Sequence, residues 1–324
     1  MNAGPQPLDL DEASRLVRAT LHGSSEIRIG AEVEWLVFDL AEPERTVVVD
    51  ETAAAAGEEP LPAGGTVSVE PGGQLELSTS TFTGPDRLVD AIRRDASELV
   101  RRFHRRGLAL VAFGLDPLRP PHVSLDAPRY RTMERSFRRH GPEGVRMMAS
   151  TAAVQVSVDP GPVPLRSWTV LGAAAPLLSA TFANSCPQGG GSARQRVWAA
   201  TDPARTAPVP TGDPQAWVDY VLDTPVMLVA DGSSVSAPAA DRTFRSWLDD
   251  VDHPPTPADL AVHLTTMFPP VRPRGHLEVR VVDAVPAVGR AAAVGLVWAL
   301  ATDRRVGDVA RRLAEGLVLS LIHI

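Results

Sequence analysis

The sequence predicts an α+β fold built around a mostly antiparallel β-sheet. Three observations carry this. The runs Ile29 to Phe38, Val67 to Ser78, Thr151 to Asp159 and Leu277 to Val282 set branched or aromatic residues between polar ones, with the two-residue period of a strand. Segments with helical periodicity interleave with these runs, but without the regular strand–helix–strand rhythm of a parallel sheet. No GxGxxG is present.

Each element has a local reason. Asp9 to Leu21 reads as a helix capped by Asp9 and stopped by Gly23. The strand Ile29 to Leu40 follows. Residues 41–66, rich in Ala, Glu, Pro and Gly, read as a long connection with a short strand at Thr46–Val49. The next strand runs from Glu70 to Ser78. From Asp86 to Arg106 a strong amphipathic helix places Leu88, Ile92, Leu99 and Phe103 on one face and ends at Gly107. Leu108 to Gly114 reads as a strand, Pro117 to Pro128 as loop, and Glu143 to Ser150 as a short helix. In Thr151 to Asp159, Val154, Val156 and Val158 face one side while Gln155, Ser157 and Asp159 face the other. Leu165 to Thr181 is apolar on every side, which marks a buried helix despite Pro176. Residues 184–196 form a polar, Gly-rich loop. Asp213-Pro214 and Thr256-Pro257 open helices that run through Leu222 and Met267. The strand Leu277 to Val282 and a helix from Pro286 to Thr302 complete the pattern.

Composition narrows the function. The chain has 324 residues, 44% of them hydrophobic, ample for a sizeable core. A net charge of −7 argues against a nucleic-acid partner. All 32 basic residues are Arg, so any phosphate must be met by Arg, backbone amides or metal, and a P-loop is excluded. One cysteine, Cys186, forms no intrachain disulfide and fits a reducing cytoplasm. No signal peptide and no membrane-spanning run is evident. Oligomeric state leaves no signature.

The acidic residues are the chemical signal. Residues i and i+2 of a strand share a face, so Glu32 and Glu34 project together, as do Gln74, Glu76 and Ser78, and as do Glu278 and Arg280. A single Glu-x-Glu is most often the wet face of a sheet. Three such runs, each apolar on its other side, would converge if they paired in one sheet. Two carboxylates about 5 Å apart repel by roughly 3 kcal/mol at an effective dielectric near 20. A cation is therefore expected, and hard oxygen ligands suit Mg²⁺ or Mn²⁺. Cys186 has no arranged base and is not read as a nucleophile. His104, His122, His140 and His263 show no metal spacing, and Gly189–Gly191 reads as a flexible loop rather than a phosphate cradle.

Several motifs stand in a telling order: Gly30-Ala-Glu-Val-Glu34, Glu70-Pro-Gly-Gly-Gln-Leu-Glu-Leu-Ser78, Arg129-Tyr130-Arg-Thr-Met133, Met147-Met148 with Thr151-Ala-Ala-Val-Gln-Val156, Asn184-Ser185, Arg194 with Trp198, Thr201-Asp-Pro-Ala-Arg205, Val218-Asp-Tyr220-Val-Leu-Asp-Thr-Pro225, and His276-Leu-Glu-Val-Arg280 with Asp283. From about Ile29 to Val282 the chain resembles the glutamate–cysteine ligases of the plant and actinobacterial type, and among these the ligases that open ergothioneine biosynthesis. The resemblance implies a glutamine-synthetase-like catalytic fold, a curved antiparallel sheet with helices packed on one face. It implies ATP, glutamate and cysteine as substrates, with Mg²⁺ (or Mn²⁺) as cofactor. Glu32, Glu34, Glu70, Glu76, Gln155 and Glu278 become metal ligands. Arg280, beside Glu278, becomes the catalytic group on the transferring phosphoryl oxygens. Arg194 and Arg205 hold the glutamate α-carboxylate, Trp198 and Tyr220 shape its pocket, and Tyr130 and Met133 border the cysteine site. The alternatives are a ligase for another amine, or a catalytically silent binding protein that kept the fold. Residues 1–324 are expected to form one catalytic domain. Its C-terminal part is read as incomplete, because the apolar segment Leu317 to Ile324 stops abruptly and is expected to lack a well-packed place.

Overall fold

The computed structural model describes residues 7–186 and 190–322, with side chains described as far as Gly316. Its strands are β1 (Ile29–Asp39), β2 (Thr66–Val69), β3 (Leu75–Ser78), β4 (Leu108–Val111), β5 (Ala153–Val158), β6 (Val229–Asp231), β7 (Ser234–Ser236), β8 (Val271–Pro273) and β9 (Leu277–Asp283). Seven of these form one sheet in the order β2-β3-β1-β5-β9-β8, with β4 paired to the last residues of β1. Every pairing is antiparallel, as the two-residue period predicts. β6 and β7 make a separate hairpin.

The helices are α1 (Leu10–Ala19), α2 (Val49–Ala56), α3 (Pro85–His104), α4 (Pro128–Arg138), α5 (Glu143–Ser150), α6 (Pro164–Thr181), α7 (Ala193–Thr201), α8 (Pro203–Thr206), α9 (Pro214–Asp223), α10 (Phe244–Leu248), α11 (Pro257–Leu264), α12 (Ala287–Thr302) and α13 (Arg304–Ile322). None among the described residues is long and apolar enough to cross a membrane.

One face of the sheet carries the main core. Val33, Trp35, Leu75, Leu77, Val154, Val156 and Val279 are buried there with Leu88, Leu99, Leu171 and Val297 from α3, α6 and α12. Each such aliphatic side chain contributes about 1.5–3 kcal/mol on burial. That burial fixes the register, because a one-residue slip of β1 would drive Glu32 and Glu34 into this layer. The opposite face is apolar only at one end, where Leu36, Phe38, Ala152 and Ala284 cluster. Over the rest of it lies a smaller helical group. Met133 and Phe137 of α4, Met147 and Met148 of α5 and Val197 of α7 pack together as its underside.

Three expectations are corrected. The segment Glu70 to Ser78 is not one strand, because residues 66–78 fold back as a hairpin. Gly73 at its turn has φ 87°, and a side chain there would meet the Val47 carbonyl at 2.4 Å. A side chain at Gly72 would meet the Ala149 backbone at 2.2 Å, so both glycines let the turn lie flat on its neighbours. The strand expected at Thr46–Val49 is instead the entry to α2. The Glu51 carboxylate accepts the Val48 N–H at 3.2 Å, and four alanines follow. Beyond Thr302 the chain continues as α13, because Asp303 accepts N–H groups from Arg305 at 2.8 Å and Val306 at 3.2 Å and restarts the helix. Its backbone is helical through Ile322. The packing expectation for Leu317 to Ile324 therefore concerns side chains outside the described residues, as does Gly189 of the glycine run.

Candidate active site

Strand register brings the acidic residues together. Glu34 lies directly opposite Glu76, Glu32 lies between Ser78 and Gln155, and Glu278 lies between Ser157 and Arg272. The hairpin turn adds Glu70. Gln74 pins that turn, with its amide oxygen accepting from Gly72 N at 3.0 Å and its amide nitrogen donating to the Met148 and Thr151 carbonyls at 3.3 and 2.9 Å. One cavity of about 410 Å³ is lined by Glu32, Glu34, Glu70, Glu76 and Gln155 together with Arg129, Tyr130, Met133, Trp198, Arg272, Arg274 and Arg280. A second polar cavity, about 460 Å³, shares Glu32 and Arg274 with the first and is otherwise lined by Arg28, Ser78, Thr79, Thr81, Ser157, Asp159, His276 and the Gly30–Ala31 backbone.

The carboxylates are electrostatically crowded. Burial, then the charges of Glu76 and Glu278, raises Glu32 to about 7. Burial, then Glu76 and Glu70, raises Glu34 to about 8. Burial, then Glu76 and Glu32, raises Glu70 to about 7. Glu34 is anchored by Ala153 N at 2.8 Å and the Gln155 amide nitrogen at 2.9 Å. This leaves the buried Gln155 amide oxygen with no hydrogen-bond partner among the described residues. Four acidic side chains and an unpartnered amide oxygen are hard oxygen groups of the kind a divalent cation takes. Among the described residues, no three His, Cys, Asp or Glu side chains already stand in a metal-holding group.

These shifts predict a pH dependence. Folding raises Glu32, Glu34 and Glu70 from 4.5 to about 7, 8 and 7, so the folded state keeps protons that the unfolded chain has released. Their contribution is full below about pH 4.5 and is lost as pH rises through 7 to 8. With divalent cations chelated, the Tm should fall between pH 5.5 and 8.5, and Glu34→Gln should flatten that slope. A Tm rising with pH across this window in both proteins would contradict the crowding.

Glu278 behaves differently. Its Oε2 accepts from Arg272 Nε and from Arg280 Nη1, each at 2.7 Å. Burial would raise its pKa, but Arg280 and Arg272 outweigh that and hold it well below the usual carboxylate range. Its geometry suits the orientation of Arg280 better than the ligation of a cation. The Arg280 guanidinium also lies 5.2 Å from the Trp198 ring and 5.7 Å from the Phe268 ring, and its buried Nε has no partner among the described residues. It is a fixed cation with an N–H to spare.

Arg194 lies beneath this assembly rather than in the cavity lining. Its Nη1 donates to the Arg280 carbonyl at 3.1 Å and stands 3.9 Å from Asp283. Asp283 in turn accepts from Asn184 N at 2.8 Å and from the Ser185 and Ser192 hydroxyls at 2.7 Å each. This geometry does not support Arg194 as a holder of the glutamate carboxylate. Arg205 is also buried and committed, to Asp202 at 2.8 Å, to Thr266 Oγ1 at 2.9 Å and to the Pro225 carbonyl. Tyr220 stacks on Trp217 with ring centres 5.6 Å apart. Neither lines either polar cavity, so the geometry gives their expected pocket roles no support. Arg205→Ala would leave the buried Asp202 with only the Ala204 N–H at 3.2 Å and the His140 ring at 3.8 Å, and is expected to destabilise the fold by about 3–5 kcal/mol. A denaturant titration checks this, and a loss below about 1 kcal/mol would return Arg205 to a ligand role.

Trp198, Tyr130 and Met133 do line the main cavity. Arg129, Arg272 and Arg274 line it too, beyond the site residues expected from the sequence. The alternation Arg272-Pro-Arg274, just upstream of Glu278-Val-Arg280, was the available signal, since a short hairpin sets Arg272 opposite Glu278.

Residues 28–316 match the model of glutamate-cysteine ligase family 2. The glutamate–cysteine ligase EgtA of Mycolicibacterium smegmatis is 41% identical over 297 residues, 85% of this chain and 69% of that protein. That of Mycobacterium tuberculosis strain H37Rv is 37% identical over 95% of this chain and 77% of that protein. A chloroplastic glutamate–cysteine ligase of Brassica juncea is 29% identical over 68% of this chain and 46% of that protein. With a family model spanning residues 28–316 and a 41% identical relative, the chain belongs to glutamate–cysteine ligase family 2.

Proposed function

We propose that this protein joins the γ-carboxylate of L-glutamate to the amine of L-cysteine at the expense of ATP, giving γ-glutamylcysteine, ADP and phosphate. The observation that carries the proposal is the pair of polar cavities sharing Glu32 and Arg274, with acids and arginines facing each other across one sheet. The cavity lined by Arg28, Thr79, Thr81 and His276 suits the nucleotide, and the cavity beneath α4 and α5 suits the amino acids. Transfer then takes place at their shared wall. A γ-carboxylate oxygen attacks the terminal phosphorus and ADP leaves. The cysteine nitrogen next attacks the acyl carbon, phosphate departs with that carboxylate oxygen, and the amine proton passes to solvent or a cavity carboxylate. Such chemistry needs chiefly positioning and charge neutralisation. Arg280 supplies a fixed cation for the phosphoryl oxygens. Glu32, Glu34, Glu70, Glu76 and the Gln155 amide oxygen are the groups suited to Mg²⁺, which supplies positive charge for the phosphates when bound.

The motif resemblance favours ergothioneine biosynthesis as the destination of the product, and a free thiol substrate fits a reducing cytoplasm. The test is ADP release with glutamate, a panel of amines and Mg²⁺. Release is expected only when glutamate, cysteine and Mg²⁺ are all present, with γ-glutamylcysteine as the product. Strong release without any amine, or a preference for another amine, would overturn the substrate assignment.

A further inference from the structure

Four guanidinium groups line the main cavity, and their partners divide them. Arg272 and Arg280 both pair with the single carboxylate of Glu278. Arg274 also lines the second cavity, which places it at the phosphate end. Arg129, in the first turn of α4, is different. Its Nη2 donates to Thr265 Oγ1 at 2.9 Å, and that hydroxyl is itself fixed by the Val262 carbonyl at 2.6 Å at the end of α11. Among the described residues no carboxylate stands within ion-pair distance of Arg129. Glu70 acts on it electrostatically, but from farther away. A partly buried cation without a counter-ion is costly, and a bound anion relieves that cost. The fork of a guanidinium matches the two oxygens of a carboxylate. Met133, Met147 and Met148 line the same cavity and offer a soft, polarisable wall suited to a short thiol side chain.

We infer that Arg129 anchors the α-carboxylate of the amine substrate, with the methionine wall receiving that substrate's side chain. This rests on the ligase reading above. It assigns amine recognition to the α4 entry, a role distinct from that of Arg280.

The test compares substrates that differ only by the α-carboxylate. The kcat/KM of the full chain would be measured for cysteine against cysteamine, and for glutamate against 4-aminobutyrate, in the unaltered protein, Arg129→Ala and Arg129→Lys. Arg129→Ala should lower kcat/KM for cysteine by about 10- to 100-fold while leaving that for cysteamine nearly unchanged, since one charge-assisted contact is removed. KM for ATP should not move, and Arg129→Lys should restore part of the preference. Equal losses for cysteine and cysteamine would reduce Arg129 to a structural role and overturn the inference. Loss of the preference for glutamate over 4-aminobutyrate would overturn it in favour of the other substrate. If Arg129→Ala does not fold, Arg129→Gln, which keeps a donor for Thr265, carries the same comparison. No ligation of either amine by the unaltered protein would overturn the ligase reading itself, and this assignment with it.

Discussion

Glu32→Gln should lower turnover by at least about 100-fold, the scale lost when one charged contact to a reacting phosphoryl or oxyanion is removed. Glu32 is the carboxylate common to both polar cavities, and it lies opposite Gln155 on one side and Ser78 on the other. The substitution removes a negative charge from a place where Glu76 and Glu278 already repel it. The fold should therefore survive, and with divalent cations chelated its Tm at pH 8 should hold or rise. Stability and activity are expected to move in opposite directions, which separates a functional carboxylate from a structural one. Glu76→Gln should follow the same pattern. Near-normal turnover in both variants would place these residues on an inert polar face.

Arg280→Lys should be nearly as damaging, and mainly in kcat. Lysine keeps the charge but loses the planar fork that reaches Glu278 while presenting a second N–H. Glu278 would stay partnered by Arg272 at 2.7 Å, so the core should tolerate the change. A fall of about 100-fold in kcat with little change in KM is the sign of an interaction made in the transition state. Raised KM for ATP and glutamate together, with kcat intact, would make Arg280 a binding residue instead.

How much of this the sequence disclosed depends on the range of the interaction. Period-2 alternation told which side of each strand faces the core, so Glu32, Glu34, Glu76, Glu278 and Arg280 could be placed on one face. Pairing in a single sheet then brings them together. The hairpin at Gly72–Gly73 was less legible, because the flat approach to Val47 and Ala149 that the glycines permit is a tertiary fact. Helix α4 is hard to read from the sequence, since its Arg-rich stretch carries only a thin apolar stripe. Arg194 and Arg205 look alike in a sequence. Their difference from site arginines lies in Asp283, far along the chain, and in Asp202, whose cap of α8 orients it. Arg129 stands inside one of the motifs, but only the absence of a carboxylate within ion-pair distance among the described residues marks it as available.

In the proposed reaction the glutamate γ-carboxylate is activated by phosphorylation on this sheet face. The most direct measurement uses glutamate labelled with ¹⁸O in the γ-carboxylate, with ATP, cysteine and Mg²⁺, and mass analysis of the released phosphate. One labelled oxygen is expected in each phosphate formed, together with γ-glutamylcysteine in equal amount. Unlabelled phosphate, released with or without peptide-bond formation, would contradict it.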